Sequence, residues 1–177
     1  GDGLLLVPVL VRCDLHDLRA AIAAGESERV VKLYTGTLLD GFHLDDSTEF
    51  GYWLDERRTE LAHAYTGALL ATANAQEKAG DVHGRVGTCR RLVAADPHSA
   101  AHARALMQAL DAAGDRAGAI QHATEYAQRV RADLELEPDP SVMALAEQLR
   151  VAPVRRPPTP ASEPGASSVA VLPFLSL

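Results

Sequence analysis

The sequence is poor in the residues that most often reveal a chemical function. Among its 177 residues it has two cysteines and one tryptophan, and aromatic residues make up 5%. Cys13 and Cys89 lie far apart and neither belongs to a CxxC pair, which indicates two reduced thiols rather than a disulfide framework or a zinc site. We therefore expect a cytoplasmic protein.

Signatures of catalysis and of cofactor binding are also missing. The sequence has no GxSxG motif, no phosphate-binding glycine loop and no HExxH motif. His98 and His102 have the i, i+4 spacing of metal ligands, but a third ligand would have to come from elsewhere, which favours a solvated helix face. We predict a protein that is not an enzyme and that binds neither a cofactor nor a metal.

One acidic group could be mistaken for a catalytic site. Asp55, Glu56 and Glu60 fall on a predicted helix together with Arg57 and Arg58. Acidic and basic residues at i, i+3 and i, i+4 spacing are typical of exposed ion pairs. We favour that interpretation over catalysis.

Basic residues are too few for a typical nucleic-acid-binding surface. Residues 1–150 carry 23 acidic residues against 15 Lys and Arg, a net charge of −8. Such a surface opposes a phosphate backbone, so any DNA contact of the intact protein should come from another segment. Arg85, Arg90 and Arg91 form a small basic patch that is most simply a solvated helix face. The acidity could also serve only to keep the protein in solution.

The apolar runs are too short to cross a membrane. Residues 4–11 form such a run, but it contains Pro8 and has no basic leader, so we expect neither a membrane span nor a signal peptide. The chain begins at Gly1 rather than methionine, and it ends just after the apolar run 169–175. We expect a part of a longer protein.

What the sequence does have is a repeat. Ala79-Gly80-Asp81 recurs 34 residues later as Ala113-Gly114-Asp115, and this is the length of a helix-turn-helix repeat. The join Ala24-Gly25-Glu26 is related to both. Because such units stack on neighbours to bury their apolar faces and present a concave binding surface, the spacing favours a binding or scaffold module.

Helical spacing of apolar residues, with Ala and Leu dominant, predicts an all-α fold of about seven helices. They are expected near 14–24, 26–34, 48–79, 82–95, 99–112, 115–134 and 142–150, with caps at Asp14, Thr48, Asp81 and Ser99. The loop 35–48 should pack back on the body through Leu38, Leu39 and Phe42. Short strands are expected at 4–7 and from 169 onward, with a disordered Pro-rich segment before the second.

Several aromatic and basic side chains are candidates for either core packing or a partner groove. For Trp53, the only tryptophan, packing between the first hairpin and the long helix is the favoured interpretation. The candidates for partner contact, groove lining or packing are Tyr34, Phe42, Trp53, Arg57, Arg91 and Tyr126.

The repeated pair resembles tetratricopeptide repeats. Gly80 and Pro97 are spaced like that family's turn glycine and terminal proline, and Ala119 holds the small-residue position of the second copy. Arg85 replaces the small residue of the first copy, and Arg131 replaces the proline of the second. The resemblance is to divergent repeats.

A wider resemblance covers roughly residues 14–149. It is carried by five blocks: Leu33-Tyr34-Thr35-Gly36-Thr37-Leu38-Leu39, Trp53-Leu54-Asp55-Glu56-Arg57, Arg91-Leu92-Val93-Ala94-Ala95-Asp96-Pro97, Leu106-Met107, and Leu134-Glu135-Leu136-Glu137-Pro138-Asp139-Pro140. These blocks resemble the bacterial transcriptional activator domain of SARP-type regulators. The sequence departs at Glu135-Leu136-Glu137, where that family usually has a glycine after the leucine, so we expect a different turn there.

The resemblance implies a domain order and a role. Residues 1–12 resemble the end of a winged-helix domain, 13–150 the helical activator domain, 151–168 a linker, and 169–177 the first strand of a TolB-like domain. The implied role is a non-enzymatic regulatory module that self-associates or contacts protein partners such as RNA polymerase, while a separate winged-helix domain binds DNA. The alternative is a tetratricopeptide-like receptor that binds a small ligand or a peptide in its groove.

Overall fold

A computed structural model describes residues 13–42 and 47–151, and within them the fold is all-helical with seven helices, as predicted. The helices are α1 (Asp14–Ala23), α2 (Ser27–Leu33), α3 (Thr48–Ala79), α4 (Val82–Ala95), α5 (Ala100–Ala112), α6 (Arg116–Leu134) and α7 (Pro140–Val151). The predicted strands, the Pro-rich segment and the flanking winged-helix and TolB-like segments fall outside the described residues.

Each helix packs against the next one along the chain, and α7 also packs against α5. The helices thus form a succession of hairpins, the arrangement expected of helical repeats, with a longer connection between α2 and α3 than between the other helices. None of the helices in the described ranges is long and apolar enough to span a membrane.

The turns that end α3 and α5 are built alike. Gly80 and Gly114 adopt left-handed backbone conformations, with φ of 72° and 84°, which glycine reaches without steric cost. Asp81 and Asp115 then cap the next helix by accepting hydrogen bonds from the backbone N–H three residues later, at 2.9 and 2.8 Å. The recurring Ala-Gly-Asp sequence is thus a helix stop followed by a helix start.

Both capped positions have a glycine that the sequence interpretation overlooked. The donors to Asp81 and Asp115 are Gly84 and Gly118, and a Cβ atom at either position would overlap the capping carboxylate. The repeated motif is therefore Ala-Gly-Asp-x-x-Gly. The spacing is visible in the sequence, but its reason is the close approach of the cap.

Two predicted caps were wrong by one residue. Asp14 is the first residue of α1, whose N-cap is Cys13 and has no side-chain cap bond. Thr48 likewise begins α3, and Ser47 is the cap, with its hydroxyl accepting from the N–H of Phe50. The caps at Asp81 and Ser99 are confirmed.

The core has two parts, and α3 contributes to both. Leu61 and Ala68 pack with α1 and α2, whereas Ala73 packs with the larger cluster formed by α4 to α7. Cys89 is fully buried in the larger cluster and is a free thiol. Burial raises the pKa of this thiol, which keeps it protonated and unreactive.

The turn after α6 is made without glycine. Glu135 ends α6 in the left-handed region, with φ of 56°. A residue with a Cβ pays about 1 kcal/mol for this conformation. The turn at 135–137, where the resemblance leads us to expect a departure, therefore holds local backbone strain.

We predict that Glu135→Gly stabilises the protein by roughly 0.5–1 kcal/mol, because it removes this strain. Glu135→Ala is the matched control, since it removes the same carboxylate but keeps the Cβ. Chemical denaturation of both variants would measure the difference. Equal stabilities for the two variants would contradict the assignment of strain.

A buried histidine makes the stability of the α5–α6 hairpin sensitive to pH. His122 of α6 is buried, and its Nε2 atom has no hydrogen-bond partner among the described residues. Burial lowers the pKa of His122, and Arg129 lowers it further, although Glu125 opposes the shift. Protonation therefore favours the unfolded chain.

We predict that the free energy of unfolding falls as the pH drops below about 6.5, the unperturbed pKa of histidine. Above that pH His122 is neutral in both the folded and the unfolded protein, so its protonation does not reduce stability. Below that pH the unfolded chain binds the proton before the folded protein does, and the free energy of unfolding falls. Relative to His122→Gln, the wild type should lose stability with an additional slope of at most about 1.4 kcal/mol per pH unit. Denaturation at several pH values would test this, and identical slopes for the two proteins would contradict it.

Candidate functional site

The described residues contain no group of three or more His, Cys, Asp or Glu side chains arranged to hold a metal ion. His98 instead lies with its Nε2 atom 2.9 Å from the Asp133 carboxylate on α6. His102 is buried at the start of α5. The two histidines therefore have different surroundings. The prediction that both lie on a solvated helix face was wrong for His102.

The acidic group on α3 forms surface ion pairs, as predicted. The Arg57 guanidinium binds Glu60 and also lies 3.1 Å from the Glu56 carboxylate. Arg58 lies 3.5 Å from Asp55. Because these carboxylates are exposed and neutralised by neighbours on the same helix, nothing prepares them for acid–base catalysis.

Arg58 also fixes the loop that precedes α3. Its Nε atom donates to the Leu38 carbonyl at 2.9 Å, and its Nη2 atom donates to the Leu39 carbonyl at 2.7 Å. Leu38 packs against the smaller core cluster as predicted. Leu39 and Phe42, in contrast, are each 46% exposed. The loop is thus held mainly by its backbone carbonyls, and the prediction that all three side chains anchor it was wrong for two.

Tyr34, Tyr65 and Arg91 join three helices. The rings of Tyr34 and Tyr65 stack with centroids 4.4 Å apart, and Arg91 lies over the Tyr65 ring at 5.5 Å. Arg91 donates to the Tyr65 hydroxyl at 3.0 Å and to the Val31 carbonyl at 2.8 Å. Desolvation in this stack raises the pKa of Tyr34. Both predicted residues, Tyr34 and Arg91, therefore hold α2 against α3 and α4.

These contacts break up the predicted basic patch of α4. Arg85 is largely buried and lies 2.8 Å from the Glu77 carboxylate, and Arg91 is engaged as described above. Arg90 is exposed. Two of the three cations are thus already neutralised or bound within the chain, which removes most of the patch as a surface for phosphate groups.

Tyr126 and Trp53, both candidates for core packing or partner contact, have different environments. Tyr126 is only 3% exposed, inside the larger core cluster, so it cannot contact a partner. Trp53 is 45% exposed, whereas its neighbour Leu54 is buried. The buried stripe of α3 runs through Leu54 and Leu61 and leaves Trp53 at its solvent side. Core packing as the explanation of Trp53 was therefore wrong.

Trp53 belongs to an exposed apolar surface at the start of α3. We call Leu39, Phe42, Tyr52 and Trp53 the aromatic patch; Tyr52 is 74% exposed. Phe50 connects two of these residues, with its ring centroid 6.0 Å from that of Phe42 and 5.6 Å from that of Trp53. The patch is bordered by the Asp55, Glu56 and Glu60 carboxylates.

A cleft of about 220 Å³ adjoins the patch, and Leu39 borders both. Its walls come from α1, the loop after α2, and α3. Most of the lining is apolar, and the only ionisable side chains in it are Asp14 and Tyr34. The cleft can hold an apolar side chain, but its few polar groups supply no catalytic arrangement.

We predict that Arg91→Ala destabilises the protein by roughly 1–2 kcal/mol, because it leaves the Val31 carbonyl without its donor and removes the contact with Tyr65. The exposed neighbour Arg90 provides the matched control, since Arg90→Ala removes the same charge from the same helix. Thermal and chemical denaturation would compare them. Equal losses in both variants would show that the Arg91 contacts contribute little.

Comparison with known proteins gives one match. Residues 11–150 match the model of a protein family described as bacterial transcriptional activator domain. No curated protein and no solved structure matches the chain. The match confirms the helical part of the resemblance, whereas the winged-helix and TolB-like flanks stay predictions.

Proposed function

Because the chain belongs to the bacterial transcriptional activator domain family, we propose that it is the non-enzymatic protein-interaction module of a transcriptional activator. In this proposal it self-associates or contacts another protein of the transcription machinery, such as RNA polymerase. A separate winged-helix domain binds DNA. The aromatic patch is the observation that carries the proposal.

The composition of the aromatic patch is that of an interface rather than of an ordinary surface. Leu39, Phe42, Tyr52 and Trp53 are all at least 45% exposed, although aromatic residues are scarce in this sequence. Contiguous exposed apolar groups mark interaction sites, and Trp and Tyr are enriched among residues that dominate binding energy. Three of the few aromatic side chains, Phe42, Tyr52 and Trp53, are therefore exposed at or just before the start of α3.

The border of the patch indicates the chemistry of its partner. Asp55, Glu56 and Glu60 lie two, three and seven residues beyond Trp53 on the same helix and are exposed. Arg57 and Arg58 pair with these carboxylates, so the border carries charges of both signs. The patch is therefore complementary to a protein surface that has an apolar pocket with a polar rim.

The same electrostatics argue against DNA as the partner. Residues 1–150 carry a net charge of −8, and the Arg85 and Arg91 side chains are engaged within the chain. DNA binding requires cations that neutralise phosphate groups. In the proposed division of labour, this module therefore contributes protein contacts only.

The test compares two double variants of this chain. Phe42→Ser with Trp53→Ser disrupts the aromatic patch, and Leu134→Ser with Leu136→Ser removes apolar groups that are similarly exposed at the end of α6. We expect the first variant to lose at least about tenfold in affinity for purified RNA polymerase, because truncating an aromatic hot spot costs about 2 kcal/mol or more. The control should bind like the wild type. Biolayer interferometry measures this binding.

Three results would count against the proposal. One is unchanged binding in the patch variant, and another is tight, salt-sensitive binding of this chain to duplex DNA in a gel shift. The third would favour the receptor alternative: a small molecule or peptide that raises the melting temperature of the wild type, since a ligand of the folded state must stabilise it.

A further inference from the structure

The outward side of α3 carries a second surface, which shares only Glu60 with the border of the aromatic patch. We call Glu60, Gly67, Leu70, Ala71 and Lys78 the α3 free face; all five are exposed. At 100° per residue, Glu60, Gly67, Ala71 and Lys78 fall within about 40° of one another around the helix axis. Leu70 flanks them, with 42% of its surface exposed. The buried residues Leu61, Ala68 and Leu69 lie on other sides of the helix.

The centre of this face is small and open. A Cβ atom at Gly67 would meet no other atom within 4 Å, so no contact within the chain requires glycine there. In the middle of a helix, glycine costs about 1 kcal/mol relative to alanine. Gly67 and Ala71 together leave room for another helix backbone to approach to about 8 Å.

The charges of the face are arranged so that it is complementary to itself. Glu60 and Lys78 lie at nearly equal distances, about 13 Å, on either side of the point midway between Gly67 and Ala71. If two copies of α3 pack antiparallel about a two-fold axis at that point, Glu60 of each copy faces Lys78 of the other. Parallel packing in register would instead place like charges together.

We propose that a second copy of this chain docks on the α3 free face, with the two α3 helices antiparallel around a two-fold axis. Gly67 of each copy lies against Ala71 of the other, the two Leu70 side chains pack beside the axis, and two Glu60–Lys78 pairs form at the ends. Such an isologous contact closes after two subunits. The inference rests on the proposed interaction role and identifies the second copy as one partner.

Glu60 also binds Arg57 within its own helix. That pair is exposed, and exposed pairs contribute little to stability. A carboxylate has two oxygens that accept hydrogen bonds, so it can keep Arg57 and still receive the ammonium group of a second chain.

Charge exchange tests the register. Glu60→Lys and Lys78→Glu should each weaken dimerisation at least about tenfold, because each places two like-charged pairs across the axis. The double variant Glu60→Lys with Lys78→Glu reverses both charges and should recover most of the wild-type affinity. Sedimentation velocity over a concentration series measures the dissociation constant.

A steric variant tests the centre of the face independently. Gly67→Leu should abolish the dimer because its side chain prevents the close approach of the two helices. Gly87→Leu on α4 is the matched control, since Gly87 is exposed and its surroundings are equally open. Both changes raise helix propensity, so both variants should fold, and circular dichroism melting curves check this.

The outcomes separate this inference from the proposed function. A wild type that stays monomeric at its highest soluble concentration overturns the inference, and so does a dimer that is unaffected by Gly67→Leu. Weakening in both single charge variants without recovery in the double variant also overturns the register. In each of these cases the proposed function still stands if the aromatic-patch variant loses binding to RNA polymerase, and it fails if that binding is unchanged or absent.

Discussion

The burial of one side of α3 is the interaction on which the remaining helices depend. This helix has 32 residues, about 48 Å in length, and it contacts both halves of the fold. Leu61 and Ala68 cover α1 and α2, and Ala73 continues into the cluster that extends to α7. Since an isolated hairpin cannot bury its own apolar surface, the two halves are stable through the helix that they share.

The long helix also explains the positions of the two surfaces proposed for interaction. α1 and α2 cover one side of it and α4 covers another, which leaves a third side in contact with solvent along its length. The aromatic patch lies at the N-terminal end of that helix, and the α3 free face extends from Glu60 to Lys78 near its C-terminal end. A scaffold that is rigid along its length can present two partners at a fixed separation, which suits a module that holds other parts of a regulator in place.

Two arginines join distant segments of this fold. Arg58 and Arg91 each donate to backbone carbonyls of distant segments while their guanidinium groups also contact acidic or aromatic side chains. The planar guanidinium, with several donors at fixed angles, is suited to joining three segments at once, which lysine does less well. With both guanidinium groups engaged within the chain, fewer cations remain free to bind phosphate groups.

The sequence alone determined the local structure. The glycines that end α3 and α5, the aspartates that cap the next helices, and the extent of α3 follow from backbone preferences and helical spacing, which act over a few residues. The resemblance to the activator domain was also accessible, because it depends on blocks of residues in order along the chain. Even the missed Gly84 and Gly118 belong to a visible repeat.

Only the tertiary structure decided which side chains are available to a partner. Trp53 and Tyr126 both fit a helical apolar stripe, yet Trp53 is exposed and Tyr126 is buried. Arg91 looks like a surface cation in the sequence, but its partner Val31 is 60 positions away. Burial and pairing depend on which distant helix covers each face, and periodicity along one helix cannot specify that neighbour.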